Sequence, residues 1–398
     1  MFTFGLVIGG LGLIIWFWMF GGASVLAWLL GQLRALWQSK PRVFLEKHQE
    51  RSPSQKVFLP SITLAIPAHN EAHSIEATLR SVTQASEYAK LRFPKLSVRI
   101  AVLLDHSTDQ TSDILARLQS EITFDVWRHS GLPGKWWGLQ ALNERADSEW
   151  IAYVDCGAIW DECLLVQWLQ DYFQKETFLA GWAPSYAPRG AGLLERMYWN
   201  LEALLKYLEN AAGGPVSVHG ATVFYQRAAL SRAFQYLGQE THWLNDDVVL
   251  PLVFRKLNLG PIHYAIHSLQ GRAWVHDLGV VPDLSVEAHR RERMSIGNIQ
   301  WMREALLLPN RSDLLGWVLV SRRMARTLWA YAFLFSFVGV LSVSWSLMPA
   351  LSLGVLIALG VLVLRVSFLQ RLSTAIQSAL KVPQRLFKFS NKEPVTWG

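Results

Sequence analysis

From Phe2 to Leu30 the chain reads FTFGLVIGGLGLIIWFWMFGGASVLAWLL, without one charged residue. About 20 apolar residues cross the hydrocarbon core of a bilayer as a helix, so this stretch predicts a membrane span. A cleaved signal peptide is the competing reading, but the stretch lacks a basic n-region, is too long, and is followed by no convincing cleavage site. A second apolar region runs from about Thr327 to Leu369, broken by SWSLMP at 344–349, and its length suits two more spans joined by a tight turn. Composition points the same way. With 51% hydrophobic and 17% charged residues the chain is too apolar for an ordinary soluble enzyme, and 19 Trp suit a long membrane–water boundary.

Basic residues set the expected orientation. Arg34, Lys40, Arg42 and Lys47 follow the first span, Arg322, Arg323 and Arg326 precede the second, and Arg371, Lys381, Arg385 and Lys388 follow the third. The amino terminus is thus expected outside and everything from roughly 40 to 320 in the cytoplasm, with a bacterial inner membrane as the expected location. Stretches 298–325 and 375–389 mix Leu, Trp and Phe with Arg and Lys. They read as interfacial helices or as amphipathic helices packed on the domain. The net charge of +7 fits cytoplasmic loop charge, and no nucleic-acid motif is present, so no nucleic-acid partner is expected. Cys156 and Cys163 show neither a CxxC spacing nor histidine partners at zinc-ligand intervals.

Between the spans, short apolar runs alternate with helical patterns. SITLAIP (61–67) stops at Pro67 and is followed by a helix with Ile75, Leu79 and Val82 on one face. VRIAVLLD (98–105) leads into STDQTSDILARLQ, whose Ser, Thr and Asp residues signal a helix start; TFDVWR, KWWGLQALNERA and WIAYVD follow. Such alternation predicts an α/β domain with a mostly parallel sheet. Ligands of such sheets bind at the carboxyl ends of the strands, where Asp105 and Asp155 each close an apolar run. PAHNEAHS after the first run has no glycine, which excludes the dinucleotide fingerprint and the P-loop. Strand-end carboxylates can instead hold a divalent cation that bridges a diphosphate.

The segments IPAHNEAHSIEATLRSV, LLDHSTDQTSDIL, GLPGKWWGLQAL, YVDCGAIW, HGATVFYQRAAL, LNDDVVLPLVFRKLNLG and RRERMSIGNIQW occur in the order found in family 2 glycosyltransferases, which the chain resembles over about 61–301. GKWWG is similar to hopanoid- and carotenoid-associated members, and DCGA to ceramide glucosyltransferases. The resemblance implies a GT-A fold using a nucleotide sugar, most often a UDP-sugar, with Mg²⁺ or Mn²⁺. It implies nucleotide-sugar contacts at Pro67, Glu71, Asp105 and Lys135, a metal ligand at Asp155, and a general base at Asp247 with Asp246 beside it. It also implies a diphosphate contact at Arg293, with Arg290 in the same run. The chain departs from the pattern at Gly157, where most members carry the second Asp of Asp-x-Asp. In the QxxRW motif, Arg290 stands for Gln and Met294 for Trp.

Plainer readings stand beside these roles. NDDVV suits a helix cap, RRER a solvated or headgroup-facing basic run, Lys135 and Trp136 surface charge and packing, and the histidines structural hydrogen bonding. The expected division is a membrane helix at 1–32, a linker at 33–60, the GT-A domain at 61–310, an interfacial helix at 311–326, two membrane helices at 327–369 and a cytoplasmic tail with an amphipathic stretch at 370–398. The expected activity is inverting, non-processive transfer of a hexose from a nucleotide sugar to a hydroxyl of a membrane lipid: a carotenoid, hopanoid, diacylglycerol or ceramide-like acceptor. A degenerate nucleotide-sugar or lipid-binding member, motivated by Gly157, and a processive synthase subunit are the alternatives.

Overall fold

A computed structural model describes residues 1–38, 59–174, 179–190, 192–267, 272–278 and 284–349, with short helical pieces between 352 and 377 and at 380; the side chains of 36–38, 194 and 284–290 are outside the description. The expected third span and the 375–389 stretch fall largely outside the described residues.

The apolar amino terminus forms α1 (Phe2–Phe17) and α2 (Ala23–Gln38), joined by a π-helical turn at Trp18–Gly22. The helix therefore runs past the expected end of the first segment at 32 and into the expected linker. The stretch Phe2–Ala35 is long and apolar enough to cross a membrane, as is one carboxyl-terminal helix, Trp329–Leu347. At ~1.5 Å per residue the first stretch is roughly 50 Å long, well beyond a hydrocarbon core of about 30 Å. The chain uses its two halves for different contacts.

The α/β domain begins with β1 (Ile62–Ala68), α3 (Ile75–Arg92), β2 (Val98–Leu104), α4 (Thr111–Leu118), β3 (Asp125–Arg128), α5 (Lys135–Arg145) and β4 (Trp150–Val154). Each lies on the corresponding predicted segment. β5 (Ile159–Trp160), α6 (Leu164–Gln174), β6 (Gly181–Pro184), β7 (Tyr186–Ala187) and α7 (Leu193–Leu208) follow, then β8 (Thr222–Gln226), α8 (Arg227–Leu237), α9 (Asp246–Lys256), β9 (Ile262–Ala265) and β10 (Val275–His276). The last described helices are α10 (Leu284–Arg303), α11 (Leu314–Thr327) and α12 (Trp329–Leu347).

The main sheet has the order β3-β2-β1-β4-β8-β6-β9, and a small sheet has the order β5-β10-β7. β1, β2, β3 and β4 are mutually parallel, β6 is parallel to β9, and β8 alone runs antiparallel to both its neighbours. Successive residues of a strand face opposite sides. Leu64 and Ile66 of β1 accordingly enter one apolar layer with Leu79 of α3 and Trp168 of α6, while Ala65 enters the other with Leu139 of α5 and Leu230 of α8.

β1 does not stop at Pro67. It continues to Ala68, with Pro67 paired to Leu103 of β2. The pairing of β1 with β4 has already ended at Ala65, and the Pro67 carbonyl faces that vacated side, where it accepts from Cys156 Sγ at 3.4 Å. The missing proline N–H thus interrupts no ladder.

α1 pairs with α12 through small residues. A Cβ on Gly339 would lie 2.4 Å from Gly9 Cα, and one on Gly12 would meet the Ala332 carbonyl at 2.8 Å. Backbones this close gain van der Waals contact where apolar burial gives no driving force, the packing mode of helices in lipid. α2 instead docks on the α/β domain, Gly31 lying so near Ala211 that an added Cβ would stand 2.3 Å from its carbonyl.

One face of α11 packs on the domain: Leu315, Leu319, Val320 and Arg322 are buried. Arg322 donates to Glu202 at 2.9 Å, to Glu209 at 3.2 Å and to the Met19 carbonyl of the π turn at 3.2 Å; Arg326 reaches Glu202 at 2.8 Å. Two of the arginines that the orientation argument counts as loop charge therefore serve an interior network. Burial opposes ionisation of Glu202, but Arg326 and Arg322 outweigh it and hold the carboxyl at about 2.

Removing one partner of a buried pair leaves the other charge uncompensated, so Arg322→Ala should lower stability by about 3–5 kcal/mol. Denaturant unfolding in detergent measures this. Because the folded Glu202 value lies below its ordinary 4.5, its contribution should be complete above that pH and disappear as pH falls toward about 2. Melting scans of wild type beside Glu202→Gln would show this acid limb in the wild type alone.

Candidate active site

The chain ends β4 at Val154 and turns through Asp155, Cys156 and Gly157, with Asp155 N–H bonded to the Ala221 carbonyl at 3.0 Å. Gly157 sits at φ +90°, a region that a side chain enters with strain. Its N–H is held by Thr78 Oγ1 at 2.9 Å. The position where the resemblance leads one to expect a second carboxylate is here built as a glycine turn.

Lys135 opens α5 and sends its ammonium between two carboxylates, 2.8 Å from Asp155 Oδ1 and 3.3 Å from Asp246 Oδ1. Asp246 and Asp247 form the first turn of α9 behind Asn245. Asn245 stands at the cap position of NDDVV but makes no capping bond with its side chain, and the same turn brings Asp246 to 3.3 Å from Lys135, with Asp247 next to it. Burial works against the Lys135 ammonium, but Asp155 and Asp246 outweigh it and hold its pKa above the usual lysine value. Burial raises the Asp155 and Asp246 carboxyls, Lys135 opposes the rise, and further carboxylates add to it: Asp246 on Asp155, and Asp247 on Asp246.

Arg293 also acts on Asp155, from α10. What holds α10 there is Asn245, whose Nδ2 donates to the Met294 carbonyl at 3.2 Å and to Asn298 Oδ1 at 3.1 Å. Gly297 makes room, since a Cβ there would fall 2.4 Å from Asn245 Oδ1. Gln300 adds a bond to the His242 carbonyl at 2.7 Å. Arg290 belongs to the same helix, but its side chain lies outside the described residues.

The expected nucleotide contacts occupy the neighbouring strand ends. Glu71 bonds Ser74 Oγ, and burial raises its carboxyl despite that bond. Asp105 is fully buried, with Oδ2 accepting from Gly134 N–H at 2.8 Å and Oδ1 2.8 Å from His106 Nδ1. Its carboxylate anchors the loop that carries Lys135.

Sequence reasoning missed the surroundings of Asp247. The Asp247 carbonyl accepts from Val218 N–H at 2.9 Å, and its Cβ faces Gly220 across a gap that an added Cβ would narrow to 3.5 Å. His219, between those two, bonds the Tyr264 hydroxyl at 2.9 Å and is ringed by Tyr186, Trp199 and Tyr264. Burial and then Lys206 push the His219 pKa well down, so the ring is neutral at pH 7. Asp247 also acts on Arg323 of α11, whose buried Nε has no hydrogen-bond partner among the described residues. No spacing pattern links positions 199, 219, 264 and 323. Only the HGATVF segment marked part of this wall.

Among the described residues no group of three His, Cys, Asp or Glu side chains is arranged to hold a metal ion. The site nevertheless suits a cation. Asp155 and Asp246 flank Lys135 and Asp247 follows Asp246 in α9, and Mg²⁺ is commonly held by one or two carboxylates plus substrate phosphates. A cavity of about 420 Å³ between α5 and α8, lined by Asn143, Arg227 and Gln239, contains none of these groups.

Residues 63–232 match the family model described as Glycosyl transferase family 2. The chain thus carries a family 2 glycosyltransferase domain with the GT-A fold, and it is a glycosyltransferase. Among solved structures it is similar to the mannosyltransferase PcManGT from Pyrobaculum calidifontis in complex with GDP-Man and Mn²⁺, at 16% identity over 97% of this chain and 100% of that one, with a TM-score of 0.60. Other matches are S. aureus TarS 1–349 in complex with UDP-GlcNAc (12% identity, 82% of this chain and 92% of that one, TM-score 0.43) and a Mycobacterium tuberculosis glucosyl-3-phosphoglycerate synthase in complex with Mn²⁺, UDP-Glc and phosphoglyceric acid (20% identity, 59% and 78%, TM-score 0.38). No curated protein matches the sequence significantly.

Asn245→Ala should release α10 from the α9 start, costing about 1–3 kcal/mol for two lost hydrogen bonds and lowering turnover. Gly297→Val should do the same by steric exclusion. Unfolding curves and donor turnover measured together on both variants check this.

Proposed function

We propose that the protein transfers a hexose from a nucleotide sugar, in the first instance a UDP-sugar, to a hydroxyl of a membrane lipid with inversion at the anomeric carbon. The observation that carries this reading is the meeting of Lys135, Asp155, Asp246 and Asp247 at the end of β4, with Arg293 acting on the same group. Charge to receive a departing diphosphate and a carboxylate to receive a proton stand in one crevice.

In this mechanism Asp247 takes the proton of the acceptor hydroxyl. The freed oxygen pair forms the new bond at the anomeric carbon as the bond to the diphosphate breaks, and the leaving oxygen carries away the electron pair. Lys135 and Arg293, with Arg290 in the same run, neutralise that oxygen's charge. A divalent cation, Mg²⁺ or Mn²⁺, held by Asp155 with Asp246 nearby would add Lewis-acid stabilisation of the diphosphate. Glu71, Pro67 and Asp105 border the nucleoside end, with Asp105 acting through the Gly134 loop.

The two long apolar helices support a membrane-bound enzyme. The reading places the domain in the cytoplasm of a bacterial cell, with the amino terminus outside and the acceptor supplied from the bilayer. Carotenoid, hopanoid, diacylglycerol and ceramide-like lipids all offer the required hydroxyl. Gly157 favours one other reading, a member that binds nucleotide sugar without turnover, because it removes a carboxylate from the expected pair.

The deciding experiment follows nucleotide release from UDP-glucose and UDP-galactose by protein in mixed lipid extract, with Mg²⁺, Mn²⁺ or chelator. Metal-dependent release should accompany transfer of sugar label to the organic phase. Asp247→Asn should lower it by about 10²- to 10⁴-fold. Donor binding without release or transfer would establish the non-catalytic reading.

A further inference from the structure

α7 is turned inside out. Two of its charged residues point inward, Glu202 and Lys206 each being only 3% exposed, while Glu195 and Arg196 are exposed near its start. Its large apolar residues point outward: Leu193, Met197, Leu201, Leu204 and Tyr207 are between 39% and 67% exposed. Spacings of four, four, three and three residues put them on one face, with Asn200 the polar residue among them. In water this arrangement is uphill twice over, since it spends apolar surface on solvent and buries ions. Burial drives the Lys206 ammonium down to about 7, although it donates to Ser217 at 2.6 Å.

The inward face has its own reason. Glu202 pairs with Arg322 and Arg326, and Tyr198 bonds Arg326. The outward face has no such explanation within the described residues. It continues, however, onto neighbouring elements. α7 packs on α2, where Leu26, Leu29 and Leu33 form an exposed stripe; α2 packs on α11, which exposes Leu314 and Trp317. α2 extends directly from α1 within Phe2–Ala35, one of the two stretches long and apolar enough to cross a membrane. Arg189 and Arg196, both exposed, stand at the amino-terminal end of α7, where anionic headgroups would meet them.

We propose that α7 is a membrane-interface helix, lying in the bilayer plane with its Leu193, Met197, Leu201, Leu204 and Tyr207 face in lipid. Its polar back then forms the wall between the bilayer and Asp247, for Glu202 acts on both Arg323 and His219. An acceptor lipid would reach the catalytic carboxylate along this helix rather than through the aqueous crevice. The proposal rests on the reading that α1 and α12 span the membrane.

The test uses the full chain with Cys156→Ser and Cys163→Ser, reconstituted singly into nanodiscs of phosphatidylcholine with a minority of phosphatidylglycerol. Nitroxide labels go one at a time at Met197, Leu201 and Leu204 on α7, at Leu13 and Val340 on the two spans, and at Leu91 on α3 as a water-exposed reference. Collision rates with oxygen and with a water-soluble nickel chelate report where each label sits. The α7 labels should show an oxygen-to-nickel ratio several-fold above that at Leu91, at a depth of about 5–10 Å, while Leu13 and Val340 lie deeper. If Leu13 and Val340 are in lipid but the α7 labels behave like Leu91, the α7 proposal fails and the membrane reading stands. Shielding of the α7 labels from both reagents would overturn it equally, placing protein over that face. Leu13 and Val340 in water would remove the membrane reading itself.

Discussion

The structure hinges on the guanidinium of Arg322. It reaches the π-turn carbonyl of Met19, Glu209 and Glu202, and so ties the amino-terminal helix, α7 and α11 together at one buried point. A π turn widens the helix and changes which carbonyls remain free; here one of them receives the arginine. Ser24 adds a bond to Glu209 at 2.6 Å and Trp18 one to Ser321 at 3.0 Å. A buried ion pair is weak evidence for net stability, but a charge on α11 with partners in the π turn, on α7 and just past its end fixes their register. The catalytic domain is thereby held at a set position relative to the helix that runs into the apolar segment.

That position matters because the site draws on the same joint. α9 begins with the carboxylates, and α10 is docked on it by Asn245; α11 then carries Arg322 toward the π turn and Arg323 toward Asp247. Movement of the apolar helices against the domain would be felt at Arg323 and His219 through Glu202 and Arg326, which act on both. The Lys135 group at the end of β4 depends instead on the sheet and on the Asp105 anchor at Gly134. The two sides of Asp247 are therefore built separately, one by the α/β core and the other by the helices next to the apolar segments.

Much was legible in the chain because it depends on local periodicity. The alternation through WIAYVD placed β1 to β4 and their helices, and strand-end logic brought out Asp155. The apolar lengths marked two long helices, and motif order marked Lys135, Asp246, Asp247 and Arg293. Local pattern misled where long-range contacts decide. Pro67 reads as a strand end, yet β1 passes through it because its β4 partner has already stopped pairing. Arg322 and Arg326 read as loop charge, yet Glu202 and Glu209 draw them inside.

The sequence by itself determined the class of fold, the apolar helices and which residue types end the strands, since spacing and residue type follow from neighbours along the chain. Tertiary structure alone decided that Lys135 would sit between Asp155 and Asp246, that Gly297 would let Asn245 hold α10, and that α7 would bury Glu202 and Lys206 and show Leu193, Leu201 and Leu204. Those outcomes turn on which side chain meets which partner from a distant part of the chain, as Glu202 and Arg322 do. No periodicity along the chain encodes such a meeting.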